Sequence, residues 1–329
     1  MDLDLVFLGT AGSMPTPQRA PTALLLRRGG ERFLFDCGEG TQRQLLVSAV
    51  GLVELPEVFL THYHADHYLG LPGMLKTFAL RGREAPMTIY GPPSLHELFS
   101  SLRRIFGRLT YPLELVELEP GDALARDGYT LAAFSVNHGV SAIGYALVEE
   151  ERPGRFEVEA ADALGVPTGP ARGALQRGEP VAVDGGRIVR SEDVLGPPRR
   201  GRKLVISGDT APTASVVAAS EGATLLVHEA TFLEDERERA RDTAHSTAAD
   251  AAATARDAEV VLLALTHLSN RYSGRDAARE AREVFPKTVV PRDFDTIELP
   301  FPERGEPRLV KGGATHAREP HDVVETRNA

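Results

Sequence analysis

Four potential metal ligands occupy six consecutive positions of the chain, in a His-x-His-x-Asp-His motif at residues 62–67. The apolar run at 58–60, directly before the motif, predicts a buried strand, so the motif lies on the connection that leaves this strand. Imidazole nitrogens and carboxylate oxygens are ligands of borderline cations such as zinc. Core packing gives no reason to place three imidazoles on one short loop. The motif therefore predicts a metal site at the end of a strand.

Three further strand-like runs end in a candidate ligand: residues 130–136 precede His138, 203–207 precede Asp209, and 260–265 precede His267. In layered α/β folds, groups that follow neighbouring strands collect at one sheet edge. A lone histidine after a strand is more often structural, but five of the ten histidines share this position, and burying so many ionisable groups without a cation is costly. Seven ligands, enough for two metal ions, are therefore expected to meet: His62, His64, Asp66, His67, His138, Asp209 and His267.

Local motifs in the same chain resemble those of ribonuclease Z, the endonuclease of the metallo-β-lactamase superfamily that matures the 3′ end of transfer RNA. The resemblance covers residues 1 to about 310. Its motifs are Phe-Leu-Gly-Thr-Ala-Gly at 7–12, Phe-Asp-Cys-Gly-Glu-Gly-Thr-Gln at 35–42, His-Glu-Ala-Thr-Phe at 228–232, His-Ser-Thr-Ala at 245–248 and Thr-His-Leu-Ser-Asn-Arg-Tyr at 266–272.

The resemblance implies an α/β fold, a four-layer αββα metallo-β-lactamase sandwich with a protruding arm, over residues 1–310. It implies two Zn²⁺ per chain, with other divalent cations as alternatives, and attack of a metal-bridging hydroxide on the phosphodiester. The products would be a transfer RNA with a 3′ hydroxyl and a trailer with a 5′ phosphate. It assigns His62, His64 and His138 to one ion and Asp66, His67 and His267 to the other, with Asp209 bridging.

The resemblance also implies catalytic roles for three residues. Asp66 is expected to accept a proton, His245 to help protonate the leaving oxygen, and Glu229 to orient His245. On the residues alone, His245 has a second interpretation, because it precedes an alanine-rich run at 246–252 with a Ser/Thr start, which predicts a capped helix. A histidine at a helix start can be purely structural.

The segment at 165–203 differs in composition from the rest of the chain. Pro/Gly-rich stretches at 165–170 and 196–198 flank it, and it has eight basic against four acidic residues in a chain of net charge −10. This pattern predicts an insertion that protrudes from the core, with a disordered surface loop as the alternative. The resemblance implies an arm over 150–198 that grips the transfer RNA elbow, with Gly169 and Pro170 in its contact motif, and basic residues suit phosphate contacts.

Two further loops are expected to contact the substrate. Ser269 and Arg271 follow His267 in a loop of phosphate-binding type. At 15–20, many relatives have a Pro-x-Lys-x-Arg-Asn motif that rejects transfer RNAs already ending in CCA, and Arg19 matches it. Pro17 and Ala20 replace the Lys and Asn, so we expect weak discrimination against CCA.

Periodicity predicts two β-rich halves with helices outside, separated by the arm. The predicted strands are 3–9, 22–27, 31–36, 58–61, 87–90, 113–118, 130–136, 142–148, 203–207, 224–228 and 260–265. The predicted helices are 41–49, 93–106, 212–220, 246–257 and 274–284. The polar tail at 311–329 is expected to be disordered.

Composition favours a cytoplasmic enzyme without a membrane partner. The chain has 42% hydrophobic residues, one cysteine and no apolar run of membrane-spanning length, and its start does not resemble a signal peptide. The resemblance adds precursor transfer RNA as a partner and a homodimer. Because a fold does not fix a function, two alternatives stay open. One is a hydrolase of small phosphodiesters, thioesters or lactones; the other, a non-catalytic RNA-binding relative, is disfavoured by the seven intact ligands.

Overall fold

A computed structural model of the chain describes residues 1–52 and 55–312. Its first sheet has eight strands in the order β17-β16-β1-β2-β3-β4-β5-β6, and β3 to β6 are parallel. The strand bounds are β1 Leu3–Gly9, β2 Ala23–Arg28, β3 Glu31–Phe35, β4 Glu57–Phe59, β5 Met87–Gly91, β6 Leu113–Glu117, β16 Thr296–Glu298 and β17 Arg308–Val310.

The second sheet has seven strands in the order β15-β14-β13-β12-β9-β8-β7, and β12 to β15 are parallel. Their bounds are β7 Ala123–Arg126, β8 Tyr129–Ser135, β9 Ile143–Glu149, β12 Lys203–Ile206, β13 Leu225–Glu229, β14 Leu263–Thr266 and β15 Thr288–Val289. A separate two-stranded hairpin pairs β10 Val181–Ala182 with β11 Ile188–Val189.

Helices cover the outer face of each sheet, which gives the four layers. On the first sheet these are α1 Thr41–Val47, α3 Leu71–Leu80 and α4 Leu95–Phe106; on the second, α7 Ala214–Ser220, α9 Ala248–Asp257 and α10 Gly274–Val284. The short helices α2 Ala65–Tyr68 and α8 Arg237–Asp242 lie on the connections between these elements. Short 3₁₀ turns lie at Asp184–Gly186, Ser191–Asp193, Glu234–Glu236 and Pro302–Arg304. The αββα architecture predicted from the sequence is confirmed.

The two sheets pack face to face through a fully buried core. Phe59 of β4 illustrates the contact: its ring stacks on Tyr90 of the same sheet at 4.6 Å between centroids, and meets Tyr145 of the facing sheet edge-on at 5.4 Å. Offset and edge-to-face pairs of this kind add to the free energy of burial. Val58 and Phe59 of β4 are fully buried, as is Leu60 after them, so polar residues follow only at the ligand motif and the threonine before it.

Most predicted elements are confirmed to within a few residues. Outside the arm, the strands β7, β15, β16 and β17 and the helices α2, α3 and α8 were not among the predicted elements. The strands and the helices α2 and α8 are short or lie at sheet edges, where periodicity is weak. The ten-residue α3 was missed because Pro72 and Gly73 in its first turn are typical of a turn. The predicted disordered tail falls, beyond residue 312, outside the described residues. No helix in the described ranges is long and apolar enough to cross a membrane.

The arm between β9 and β12 is folded, so the alternative of a disordered loop is wrong. It contains α5 Val158–Ala163, α6 Pro170–Gln176 and the β10–β11 hairpin. These elements close over a small core of their own, formed by Ala161, Val166, Leu175, Val189 and Val194. The apolar residues are spread too thinly along the arm to show helical or strand periodicity, which explains why the sequence pattern did not predict its elements.

The arm's cationic character is weaker than the count over 165–203 indicated. Within the predicted arm, 150–198, there are six basic and nine acidic residues, a net charge of −3. Several arginines of the longer window are also ion-paired, so their charge is compensated locally. These pairs are Arg172–Asp162, Arg177–Glu179, Arg199–Glu303 and the buried Arg202–Glu149.

Candidate metal centre

The strand ends bring all seven predicted ligands to one edge of the sandwich. His62 and His64 lie on the loop after β4, and Asp66 and His67 lie in the short helix α2 that follows. His138 follows β8, Asp209 follows β12, and His267 follows β14. A backbone hydrogen bond of 2.9 Å from Ile143 to Thr61 ties the loop after β4 to the facing sheet. The convergence predicted from the sequence is confirmed.

Asp209 lies at the centre of the cluster. Its Oδ2 atom is 3.2 Å from Nε2 of His267, 3.3 Å from Nε2 of His67, 3.7 Å from Nε2 of His62 and 3.8 Å from Nε2 of His138. The ligand atoms fall into two compact groups, each within 4.8 Å: His62, His64, His138 and Asp209 form one, and Asp66, His67 and His267 form the other. One buried carboxylate is therefore positioned next to both groups.

The ring nitrogens of the cluster face one another at short distances instead of each having a separate polar partner. Nε2 of His67 and Nε2 of His267 lie 3.3 Å apart, and Nε2 of His138 lies 3.0 Å from Nδ1 of His64. Nε2 of His62 is buried and has no hydrogen-bond partner among the described residues. Orphaned buried nitrogens are costly, whereas a cation accepts several lone pairs at once. The donor set, imidazole with carboxylate, fits zinc and other borderline divalent ions.

The protonation states of Asp209 and His62 suit metal binding. Burial would raise the pKa of Asp209, but the neighbouring His267 and His67 hold that pKa well below its ordinary value, so the carboxylate stays ionised. Burial, together with His67, lowers the pKa of His62, which keeps its nitrogen lone pair available. Metal ligands must be in these deprotonated forms. His67 differs, because although burial lowers its pKa, Asp209 and Asp36 raise that pKa well above its ordinary value, so a bound cation would displace the proton of this ring.

A second group of residues, absent from the predicted site, orients the rings of the predicted ligands. Asp36 accepts a hydrogen bond from Nδ1 of His67 at 2.8 Å, the Ala244 carbonyl accepts one from Nδ1 of His138 at 3.0 Å, and Thr231 Oγ1 lies 2.8 Å from Nδ1 of His267. Such partners fix ring tautomers and raise ligand basicity. Asp36 follows β3 directly, the same strand-end position that marked the ligands, so the sequence contained a signal for it.

The backbone at His267 is held in an uncommon conformation. His267 has φ of 55°, in the left-handed region, which costs free energy for a residue with a side chain. Gly12 packs against it so closely that a Cβ on Gly12 would lie 2.7 Å from the His267 ring. Hydrogen bonds of 3.0 and 3.1 Å join Gly12 and Thr10 to Leu268. The 7–12 motif therefore fixes the backbone at the predicted ligand His267.

His245 and Glu229 form a pair at the edge of the cluster. Nδ1 of His245 donates to Oε1 of Glu229 at 2.7 Å, and the same nitrogen lies 4.0 Å from Asp209. Burial lowers the pKa of His245, but the Glu229 carboxylate outweighs this effect and raises the pKa to about 9. Because Nδ1 is engaged, Nε2 is the nitrogen free to give a proton to another molecule. The helix predicted after His245 is confirmed as α9, but its N-cap is Thr247 and not His245.

The predicted substrate contacts lie at separate places. Arg271 is 42% exposed and its guanidinium is 3.7 Å from Glu236, while Ser269 is buried beside it. Gly169, at φ of 95°, precedes α6, and Pro170 begins that helix at the exposed end of the arm. Arg19 points inward: its Nη1 donates to Thr10 at 2.6 Å and to the Pro291 carbonyl at 2.9 Å. Arg19 thus also braces the loop on which it lies.

The fold and the paired ligand groups define the metallo-β-lactamase class of protein. In agreement, the profile described as "Metallo-beta-lactamase superfamily" matches residues 16–159, and the structure is similar to that of the metallo-beta-lactamase fold protein YhfI from Bacillus subtilis, with a TM-score of 0.67 at 20% identity over 91% of this chain and 100% of that one. The likeness to YhfI concerns the fold alone.

The relatives narrow this class. A ribonuclease Z from Myxococcus xanthus is 48% identical over 91% of this chain and 98% of its own length, and one from Methanosarcina acetivorans is 44% identical over 91% and 99%. Human tRNase Z, short form, superposes with a TM-score of 0.65 at 26% identity over 90% of this chain and 99% of that one. The chain belongs to the ribonuclease Z family.

Proposed function

We propose that this chain is a metal-dependent endoribonuclease that cleaves the 3′ trailer from precursor transfer RNA, leaving a 3′ hydroxyl on the transfer RNA and a 5′ phosphate on the trailer. Membership of the ribonuclease Z family supports this activity. The observation that supports it most directly is that Asp209 lies within 4 Å of Nε2 atoms from both ligand groups, next to the Glu229–His245 pair. End-mapping of the products from an unprocessed transfer RNA tests it.

The residues fit two divalent ions, which we propose to be zinc. His62, His64 and His138 would hold one ion, Asp66, His67 and His267 the other, and Asp209 would contact both. Two ions in such a site supply an activated water and stabilise the attacking and leaving oxygens of a phosphodiester. The imidazole-rich donor set favours zinc over magnesium or calcium, which prefer oxygen ligands.

The protein's own groups handle the protons. Burial would raise the pKa of Asp66, but hydrogen bonding to His267 and the charge of His67 lower it, so its Oδ2 is ionised. We propose Asp66 as the proton acceptor from the family resemblance, because the lowered pKa alone makes it a weak base. The Ser13 amide donates to the same Oδ2 at 2.7 Å and fixes its orientation. His245, held through Nδ1 by Glu229, is positioned to deliver a proton from Nε2 to the leaving oxygen. Ser269 and Arg271 would bind the flanking phosphates.

The arm is proposed to grip the transfer RNA elbow, through the loop at Gly169 and Pro170. Its own folded core supports a defined contact surface rather than a loose loop. We further propose a homodimer: Leu46, Leu69 and Leu80, in the helical layer of the first sheet, are 50%, 46% and 78% exposed, and apolar side chains of this kind suit a subunit interface. We also propose a cytoplasmic location, because the proposed substrate is precursor transfer RNA.

We expect the arm to contribute to the binding of transfer RNA and not to the cleavage step at the metal centre. Replacing residues 157–194 by a short Gly-Ser linker removes the arm but keeps the β-bridge between Phe156 and Leu195 at its base. Losing contacts that total about 1.4 kcal/mol would raise the KM for precursor transfer RNA about tenfold. Hydrolysis of a small chromogenic phosphodiester and metal content should not change. Steady-state kinetics on both substrates make the measurement.

Two results would contradict this role. Equal loss on both substrates would mean that the segment supports the fold, and no loss on transfer RNA would mean that it is a solvated appendage. The small-substrate hydrolase would then be the better hypothesis. Because the arm has net charge −3, we expect only a modest change in the salt dependence of binding.

The loop at 15–20 leads to a prediction about substrate choice. Pro17 and Gln18 are exposed at its tip, while the guanidinium of Arg19 is turned toward Thr10 and Pro291. The tip therefore presents no cationic group that could make a strong contact with the CCA end. We expect precursors with an encoded CCA to be cleaved at a rate within about fivefold of that of matched precursors without CCA.

The matched gain-of-function variant is the double substitution P17K/A20N, which restores the motif's Lys and Asn. It should cleave the CCA precursor more slowly while leaving the precursor without CCA unaffected. If the unmodified enzyme already refuses the CCA substrate strongly, another group makes the discrimination and the role given to these two positions is wrong.

A further inference from the structure

The arm leaves the body through a narrow two-stranded stem. Backbone hydrogen bonds of 2.8 and 2.9 Å pair Arg152 with Arg199, and others of 2.9 and 2.8 Å join Gly196 to Arg155 and Glu157 to Val194. A Cβ on Gly154 would lie 1.8 Å from the Gly196 carbonyl oxygen, so the two strands approach as closely as backbones can. An isolated two-stranded ribbon is marginally stable in water, so its direction depends on what it packs against.

A segment far along the chain packs against this stem. The Phe301 ring lies between two guanidinium groups: that of Arg152 from the stem, 3.5 Å from the ring centroid, and that of Arg202 from the body, 3.9 Å from it. An arginine over an aromatic face is attracted by the ring's quadrupole. Phe301 therefore links one stem strand to the body through both of its faces.

Glu303 holds the second strand as well as the first. Its two carboxylate oxygens accept from the two terminal nitrogens of Arg152 at 2.8 and 3.0 Å, and Oε1 also accepts from Nη1 of Arg199 at 3.1 Å. Arg152 and Arg199 are directly opposite each other in the stem. A single carboxylate thus joins both strands to the 3₁₀ turn at Pro302–Arg304.

The body side of this contact is rigid. Arg202 is 1% exposed and donates to both carboxylate oxygens of Glu149 at 2.7 Å, to the Leu299 carbonyl at 2.8 Å and to the Met1 carbonyl at 3.1 Å. These hydrogen bonds and the Glu149 carboxylate compensate the buried charge of the Arg202 guanidinium. Removing one of these partners would therefore cost free energy of folding. Arg202, Phe301 and Arg152 thus form a continuous series of contacts from the buried core to the stem.

We propose that Phe301 and Glu303 form a stem clamp that sets the angle of the arm, and hence the distance between its tip and the metal centre. The clamp residues touch no reacting group, so they act as positioning residues for a substrate that must contact the arm and the metal centre together. This inference rests on the proposed function of the arm. Exposed ion pairs are individually weak, but here the two pairs and the two ring contacts share side chains that are already fixed.

The first test measures the geometry directly. Spin labels are attached to two introduced cysteines, Thr168→Cys on the arm and Glu283→Cys on α10. The native Cys37 stays unlabelled because it is fully buried and burial raises the pKa of its thiol to about 12. Pulsed electron resonance should give one narrow distance distribution for the otherwise unchanged protein and a broader one with Phe301→Leu and Glu303→Gln added. Distance distributions of equal width in the two proteins would refute the clamp.

The second test measures function in the full-length protein. Phe301→Leu and Glu303→Gln together should raise the KM for precursor transfer RNA by about three- to fivefold, with the small phosphodiester rate and the melting temperature unchanged. Glu306→Gln is the matched control: Glu306 pairs with Lys287 at 2.7 Å, and no contact joins it to the stem in the described ranges. An unchanged KM, with the arm-replaced enzyme impaired, would refute the clamp alone. If the arm replacement is also without effect, the proposed arm function fails, and the distance test still decides whether the clamp exists.

Discussion

Asp209→Ala is expected to lower the metal content from about two ions per chain to one or fewer and to reduce cleavage of precursor transfer RNA by about 10³-fold or more. Among residues 1–52 and 55–312, Asp209 is the one carboxylate within 4 Å of imidazole nitrogens from both ligand groups. Bound metals supply several kcal/mol of transition-state stabilisation, and about 4 kcal/mol corresponds to about 10³-fold in rate. Elemental analysis and single-turnover kinetics measure the two effects.

Two variants make this result interpretable. Asp209→Asn keeps the shape of the side chain and removes its charge, so it separates the charge of the ligand from its packing. Asp257→Ala removes a solvent-exposed carboxylate at the end of α9 and should match the unmodified protein in both measurements. Normal metal content in Asp209→Ala would refute the bridging role, and full activity with one ion or none would refute the proposed two-metal mechanism.

The site was predictable from the sequence because it is built where strands end. Strands buried on both faces contain few polar residues, so a His or Asp shortly after such a strand stands out, as Asp209 and His267 do. The same rule would have found Asp36, which follows β3 and supports His67 at 2.8 Å. It could not have found Thr231 or the Ala244 carbonyl, because hydroxyls and backbone carbonyls occur everywhere and only the fold brings them to a ligand.

The surface charge of the arm was harder to predict from the sequence than the topology of the fold. The basic window at 165–203 owes part of its excess to Arg202, which is buried in the body against Glu149 and faces no substrate. Arg172 and Arg199 pair with carboxylates outside the window, at Asp162 and Glu303. A count of residues along the chain cannot include such partners. The net charge of a segment therefore predicts its surface potential only after the ion pairs are known.

The arm illustrates a related limit. Its core residues, such as Leu175 and Val189, are far apart in sequence and contribute one side chain per element, so no window of the sequence shows a periodic pattern. The clamp at its base depends on Phe301 and Glu303, more than 100 residues from Arg152 and Arg199. Long-range contacts of this kind follow from the topology and not from local sequence.

His245→Ala is expected to slow cleavage by about 10²-fold or more, the contribution usual for a positioned proton donor, while the metal content stays at the level of the unmodified protein. His245 is held through Nδ1 by Glu229 at 2.7 Å, while the Ala244 carbonyl and Thr231 orient His138 and His267. Thr231 also lies 3.2 Å from Nδ1 of His245, and His245 forms a third group of possible ligands with Asp209 and His267. The metal content of His245→Ala therefore decides whether the ring is a proton donor or part of the metal centre.

Glu229→Gln is the companion variant, because it keeps the hydrogen-bonding shape beside His245 but removes the charge that raises the pKa of that ring to about 9. A raised pKa keeps His245 protonated up to about that value, so the loss in Glu229→Gln should grow as the pH rises through neutrality. Substrates with a better leaving group need less protonation, so His245→Ala should be less impaired on a chromogenic phosphodiester than on transfer RNA. Equal impairment on both substrates, with metal content reduced in parallel, would instead make His245 a structural part of the metal centre.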